Sequence, residues 1–317
     1  MVFGERQTQL SQTAILLLGV ALFCSGCPRT EAPEAKRADP VILSEGIITA
    51  KVSRFFESGS EEPFEQFEIV GVFPRFDLEK IDVVDSLLGS RVPQSDDLAL
   101  DTCSAPAPVL SSRARRGADD ETAIELIDVG DVSLEYRGVL RTVPTRTFPD
   151  LLKVIDGVIY SANESRGVHF LPGETYTFRA TGTDEIDQFD VVLDAPDDLG
   201  DVKLDGDLLV DHVPIIRRGR DLEISWEGEG YGDEVVATVN WTSMGLPWSL
   251  TCRMRDDGYF VIPGRFTAGM YDPLASDDHE MSLSRIRQVS FRSSGLSSGE
   301  FLFVVSTNFM VRFESAR

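Results

Sequence analysis

Apolar and polar side chains alternate with a period of two through most of this chain, and no other feature limits its fold as tightly. A strand turns successive side chains to opposite faces, so such alternation buries one face and wets the other. Ile48, Ala50 and Val52 alternate with Thr49, Lys51 and Ser53, and Val132, Leu134 and Tyr136 alternate with Ser133, Glu135 and Arg137. Tyr176, Phe178 and Ala180 share a face, as do Phe189, Val191 and Leu193. Leu222, Ile224 and Trp226 repeat the pattern, followed by Val235 to Trp241 and Trp248 to Met254. The last run is the longest, with Phe301, Phe303, Val305, Phe309, Val311 and Phe313 on one side. Helical spacing is confined to Leu78, Ile81, Val84 and Leu88, and to a short stretch from Phe148 to Ile155 that Gly157 stops. Strands without alternating helices predict an all-β chain of mainly antiparallel sheets.

The run Asp194-Ala195-Pro196-Asp197-Asp198-Leu199-Gly200-Asp201 breaks this pattern and marks a domain boundary. Residues 41–198 are expected to form a first, less regular β domain, and residues 199–317 a second. The second holds about seven strands, the size and number of an immunoglobulin-like sandwich. Asp257-Gly258 separates the 248–255 run from Tyr259-Phe260-Val261-Ile262 and predicts a type I′ hairpin there. The Phe301–Phe313 face needs a second sheet above it, because alone it would leave an apolar patch in water. Trp226 and Trp241 are the expected covering groups. No internal repeat of fixed period is present.

The formal charge of −23 excludes whole classes of partner. Affinity for nucleic acid rests on Lys and Arg displacing counterions from phosphates, and this surface is repelled by them. The same charge keeps the chain soluble. Ala14 to Cys24 is an uncharged apolar run. It is short of the roughly 20 residues a membrane-spanning helix needs, and it suits the core of a signal peptide. Cys24-Ser25-Gly26-Cys27 follows, with small residues at 25 and 26 that admit a peptidase and a thiol at 27 that can take a thioether-linked diacylglycerol.

This segment resembles the bacterial lipobox, with Cys24 where Leu is usual. The resemblance implies that residues 1–26 are a lipoprotein signal peptide and that Cys27 is lipidated as the first mature residue. The chain would then be held at a membrane by the N-terminal diacylglyceryl lipid. Pro28 stands where an Asp holds many such proteins at the inner membrane, which points to the outer membrane. Residues 28–40 carry three prolines and no apolar periodicity, the composition of a flexible tether. Further on come Pro172-Gly173-Glu174-Thr175-Tyr176, Leu250-Thr251-Cys252 and Asp256-Asp257-Gly258, then Val261-Ile262-Pro263. Their order is similar to bacterial lipoproteins that carry Ig-like or fibronectin-like sandwich domains behind a lipobox. That likeness covers most of residues 120–317, implies fold and location, and brings no functional residue with it.

Lipidation of Cys27 and loss of the leader leave two of the four cysteines, Cys103 and Cys252. Neither has the spacing of a metal or redox motif, and an exported chain keeps disulfides. A bond between them would close a loop of about 150 residues, worth up to roughly 5 kcal/mol on the chain-entropy model. Two separate buried thiols are the alternative. His169, His212 and His279 have no partner at metal-ligand spacing, and there is no Gly-x-Ser-x-Gly elbow or glycine-rich phosphate loop. Asp278-His279-Glu280 reads as a charged loop.

The carboxylates from Asp194 to Asp211, with Asp205-Gly206-Asp207 among them, could gather round Ca²⁺. Leu199, Val202 and Leu204 interrupt them, so the run reads as a solvated interdomain linker. Asn163-Glu164-Ser165 and Asn240-Trp241-Thr242 match a glycosylation pattern that a bacterial lipoprotein gives no reason to use. Trp226, Trp241 and Trp248 are expected in one core. These residues assign no catalytic site, no cofactor and no metal. The expectation is a non-catalytic, membrane-anchored module for binding, adhesion or envelope structure. Its partner would be an envelope protein or a glycan, with oligomeric state left open. A surface-tethered hydrolase would need a cleft of converging polar groups. A Ca-dependent or carbohydrate-binding module would need clustered loop carboxylates or exposed aromatics.

Overall fold

Every run of period-two alternation becomes a strand. The computed structural model describes residues 41–56, 63–77, 98–104, 107–108, 124–148, 155–164, 171–209, 213–229, 232–243, 246–270 and 278–314. All belong to the unit Pro40–Arg317. Cys27, the leader and the tether lie outside the described residues, as do His169, His212, the expected helix over 78–88 and residues 149–154 of the expected helix over 148–155, whose ends Phe148 and Ile155 are strand residues. Among the described residues the one helix is the single turn Gly264–Thr267.

The chain is all-β. A 13-stranded sheet forms the floor, and its central strands run in the order Ile42–Phe55, Ser298–Phe313, Asp278–Phe291, Glu234–Ser243, Leu246–Arg255. Two four-stranded sheets complete the architecture. One holds Val132–Tyr136, Val139–Val143, Thr175–Ala180 and Phe189–Asp194. The other holds Lys203–Leu204, Asp207–Leu208, Leu222–Ser225 and Tyr259–Ile262. Pairing is antiparallel almost throughout, but the first strand lies parallel to the last, with Ile48 opposite Phe301 and Val52 opposite Val305.

Each small sheet packs on the floor over its own apolar core, which makes two sandwich-like halves. In the first, Ile48, Ala50, Val52, Phe301 and Phe303 of the floor meet Leu134, Tyr176, Phe178 and Phe189 above. The Tyr176 ring lies 5.0 Å from Phe303, and Phe178 lies 6.2 Å from Phe301. In the second, Val235, Ala237, Leu250, Cys252, Met281, Leu283 and Phe309 meet Leu204, Leu222, Ile224 and Trp226. All three tryptophans belong to this second core, with Trp241 and Trp248 stacked at 6.2 Å.

Two local expectations are corrected. Trp226 and Trp241 do not cover Phe301 and Phe303; residues before 198 do. The reason is length, since sixteen residues at about 3.3 Å each extend past a single sandwich. The inward face of the last strand therefore serves the first core up to Val305 and the second from Phe309 onward.

The Asp257-Gly258 turn is not a hairpin either. Leu246–Arg255 pairs with Glu234–Ser243 in the floor, whereas Tyr259–Ile262 pairs with Leu222–Ser225 in the small sheet above. The turn hands the chain from one layer to the other. Gly258 has φ +90°, and its carbonyl accepts the Trp226 N–H at 3.0 Å, which fixes the crossing.

Phe303 is fully buried, and Met310 on the same strand is 42% exposed. Phe303→Ala should lower unfolding free energy by about 3–5 kcal/mol, and Met310→Ala by no more than about 0.5 kcal/mol. Urea titrations of both variants check this; equal losses would mean that the inward face of the last strand has been misplaced.

Candidate functional site

The two cores are separated by a row of arginines. Inward positions on the Asp278–Phe291 strand read Met281 and Leu283 in the second core, then Arg285 and Arg287, then Val289 and Phe291 against the first. On the first strand, Ile48, Ala50 and Val52 are followed at the same spacing by Arg54. These three guanidiniums face the connector Asp194–Gly200, which carries the chain from one small sheet to the other.

Each grips a different part of it. Arg54 pairs with the Asp198 carboxylate and with Glu65. Arg285 donates from Nη1 to the carbonyls of Asp197 at 2.8 Å and Asp198 at 2.7 Å, and from Nη2 to the carbonyl of Glu227. Arg287 donates from Nη1 to the carbonyls of Asp194 at 3.3 Å and Ala195 at 3.2 Å. An extended, proline-containing connector has carbonyls with no sheet partner, and the arginines supply the donors these need.

The counter-charges come from strand ends. Asp256 continues the inward row Leu250, Cys252, Met254, and Asp233 precedes the inward row Val235, Ala237, Val239. Asp256 and Arg285 are both buried, with Arg285 Nε 2.7 Å from Asp256 Oδ2 and Nη2 3.0 Å from Oδ1. Trp226 Nε1 donates to the same Oδ1 at 2.7 Å. Arg287 is bidentate on Asp233, at 2.8 and 2.6 Å, and also reaches Glu229 Oε2 at 2.5 Å. Glu229 Oε1 in turn accepts the backbone N–H of Asp197 at 2.5 Å.

Burial, with a hydrogen bond to Asp233, pushes the Glu229 carboxyl up to about 7 against the pull of Arg287. The Arg287 guanidinium is raised in turn by its bonds to Asp233. An open groove of about 440 Å³ runs along Val192–Asp194 opposite Gly232, Asp233 and Arg287, so this end of the row meets solvent.

Carboxylate oxygens of Glu229, Asp233 and Asp256 lie within 4.8 Å of one another. Such a cluster could hold a cation, but two guanidiniums already stand among these oxygens and would repel a divalent ion. The arrangement suits ion pairs supplied by the protein itself. Among the described residues, the carboxylates of the Asp194–Asp211 run do not gather into a cluster that could hold Ca²⁺, the alternative weighed for that run. Asp205 (φ +49°) and Gly206 (φ +87°) make the tight turn between Lys203–Leu204 and Asp207–Leu208, and Asp205 Oδ1 accepts the Glu223 N–H at 3.0 Å. Leu199, Val202 and Leu204 are buried, so the run is a packed connection and not a solvated linker.

Cys103 and Cys252 are joined in a disulfide, directly opposite each other where Thr102–Cys103 pairs with Leu246–Arg255. His279 lies in a strand, not a loop, buried and stacked on Phe313 at 4.2 Å. The residues that sequence reading missed are Arg54, Glu229, Asp233, Asp256, Arg285 and Arg287. For all but Glu229, which lies past the end of the Leu222–Ser225 strand, the signal was charge in line with the inward positions of otherwise apolar rows.

No family model matches the chain, and no curated protein matches it. Among solved structures it is similar to the FN1–FN3 domains of chicken CNTN1, at 11% identity over 59% of this chain and 58% of that one, with a TM-score of 0.16. It is also similar to the yeast delta-COP-I mu-homology domain, at 10% identity over 86% and 98% with a TM-score of 0.24. The Fcho1 mu homology domain of Danio rerio with bound Eps15 peptide gives 7% identity over 86% and 97%, with a TM-score of 0.24.

Removing one member of a buried ion pair strands the other charge. Arg285→Met and Asp256→Leu should each cost about 3–5 kcal/mol, and the double variant should recover part of the sum. Additive losses in a chemical-denaturation cycle would show that the pair is not coupled. Non-reducing peptide mapping should recover the Cys103 and Cys252 peptides as one species; two thiols that alkylate without reductant would contradict the bond.

Proposed function

We propose that the chain is an exported lipoprotein, fixed to a membrane by a lipid on Cys27. The Pro40–Arg317 body then acts as a non-catalytic module for binding, adhesion or envelope structure. The observation that carries this reading is the Cys103–Cys252 disulfide beside the lipobox-like Cys24-Ser25-Gly26-Cys27. Such bonds persist in compartments outside the reducing cytosol, where a lipobox would deliver the chain. The boundary of the folded unit supports it too, since the body begins at Pro40, the last residue of the expected tether.

The charged groups at the centre of the body favour a structural part over a chemical one. Arg285 and Arg287 direct their donors at carbonyls and carboxylates of the protein itself. Pro28 after the lipid-bearing cysteine favours the outer membrane. The body's partner is then an envelope protein or a glycan, and its negative charge disfavours nucleic acid.

Cys27→Ala should abolish incorporation of labelled lipid and move the protein from the membrane to the soluble fraction, while Cys24→Ala leaves both unchanged. Lipid labelling that survives in the Cys27 variant would remove the basis of the proposal.

A further inference from the structure

The central charges do not balance. Glu229, Asp233 and Asp256 face Arg285 and Arg287, which leaves one surplus negative charge when all five are ionised. Arg285 is committed to Asp256, and its Nη1 stands 3.9 Å from Glu229 Oε1. Glu229 and Asp233 therefore compete for the single guanidinium of Arg287. Glu229 is also the one carboxylate of the three that holds the connector directly, through the Asp197 N–H. From the connector Asp197 faces it, and Asp194 acts on the neighbouring Arg287, so both add negative charge to the cluster.

We propose that Glu229 and Asp233 form a proton-operated catch on the Asp194–Gly200 connector between the two sandwich halves. With a proton on Glu229, the two carboxyls and Arg287 hold the connector against the floor sheet. Without it, the second negative charge repels Asp233 and the acidic connector, and the segment loosens. The groove beside Asp233 and Arg287 gives solvent access to the pair, so the proton exchanges with bulk water. The raised Glu229 carboxyl agrees with this, because a folded state that favours the protonated form loses stability as pH rises from the ordinary range near 4.5 to about 7. The same lever in reverse, a catch tightened by deprotonation, would need a lowered carboxyl.

Peptide-resolved hydrogen exchange on the purified full-length mature protein tests the catch. After correction for the intrinsic rate, protection of residues 195–200 should fall by about tenfold or more from about pH 5 to about pH 8. Protection of the Ser298–Phe313 strand should stay constant. Glu229→Gln, which is neutral at every pH, should keep the connector protected throughout. Asp233→Asn removes the like-charged neighbour that helps raise Glu229, and should move the loosening to lower pH than in wild type. Equal connector protection at both pH values in wild type would overturn the proposal. So would an unchanged pH response in Glu229→Gln. Should that variant not fold, an unchanged transition in Asp233→Asn is the overturning result.

Discussion

The buried pair of Arg285 and Asp256 fixes how the two halves of this protein share one sheet. Neither group reaches water, and taking an isolated pair of ions out of water costs more than their attraction returns unless their remaining donors and acceptors are also met. Here they are met by the Asp197 and Asp198 carbonyls, the Glu227 carbonyl and the Trp226 indole. Satisfying Arg285 thus dictates where the connector runs, where the Trp226 ring lies and where the Leu246–Arg255 strand must end. A leucine at 285 would fuse the two apolar cores and leave the connector carbonyls without donors.

The floor sheet draws residues from beyond the connector into both halves. Phe301, Phe303 and Val305 complete the first core, though they stand more than a hundred residues past the connector, and Phe309 and Val311 complete the second. The parallel pairing of the first and last strands joins residues from both ends of the folded unit. The disulfide adds a second long-range tie, closing 149 residues of separation at the far edge of the same sheet. Cross-links of that span act mainly by restricting the unfolded chain. Among the described residues, the body is held by continuous sheet below, while the layer above is joined through the connector.

Strands such as Tyr176–Ala180 and Val235–Trp241 were legible because one face is apolar and the other polar, a pattern that survives without knowledge of partners. Pairing was less legible. Asp205-Gly206 and Asp257-Gly258 carry the same turn chemistry, yet the first closes a hairpin and the second changes layer, because a turn sets a local reversal and not the strand it will meet. The arginine row was hidden for a different reason. In Leu283-Ser284-Arg285-Ile286-Arg287-Gln288-Val289 the apolar parity switches at Ile286, which lies in a separate cluster with Ile47, Val236, Leu302 and Val304 on the opposite face of the floor. A strand buried on both faces loses simple alternation, and its inward charges then look like ordinary exposed ones. The disulfide could be named only as one of two options, since topology alone brings Cys103 opposite Cys252.

Apolar packing and charge pairing place the freedom of this molecule in different regions. Cores such as that around Phe303 rest on close-packed apolar contacts. The connector lies on charged groups whose attraction depends on protonation and on how many guanidiniums each carboxylate must share. One arginine serving two carboxylates is a poorer bargain at each than the dedicated Arg285–Asp256 pair. The exposed end of the row, at Glu229, Asp233 and Arg287, is therefore where the hold on the upper layer gives first, and the buried end at Arg285 is where it persists. The two ends of the row thus differ in kind, one a dedicated buried pair and the other a guanidinium shared by two carboxylates.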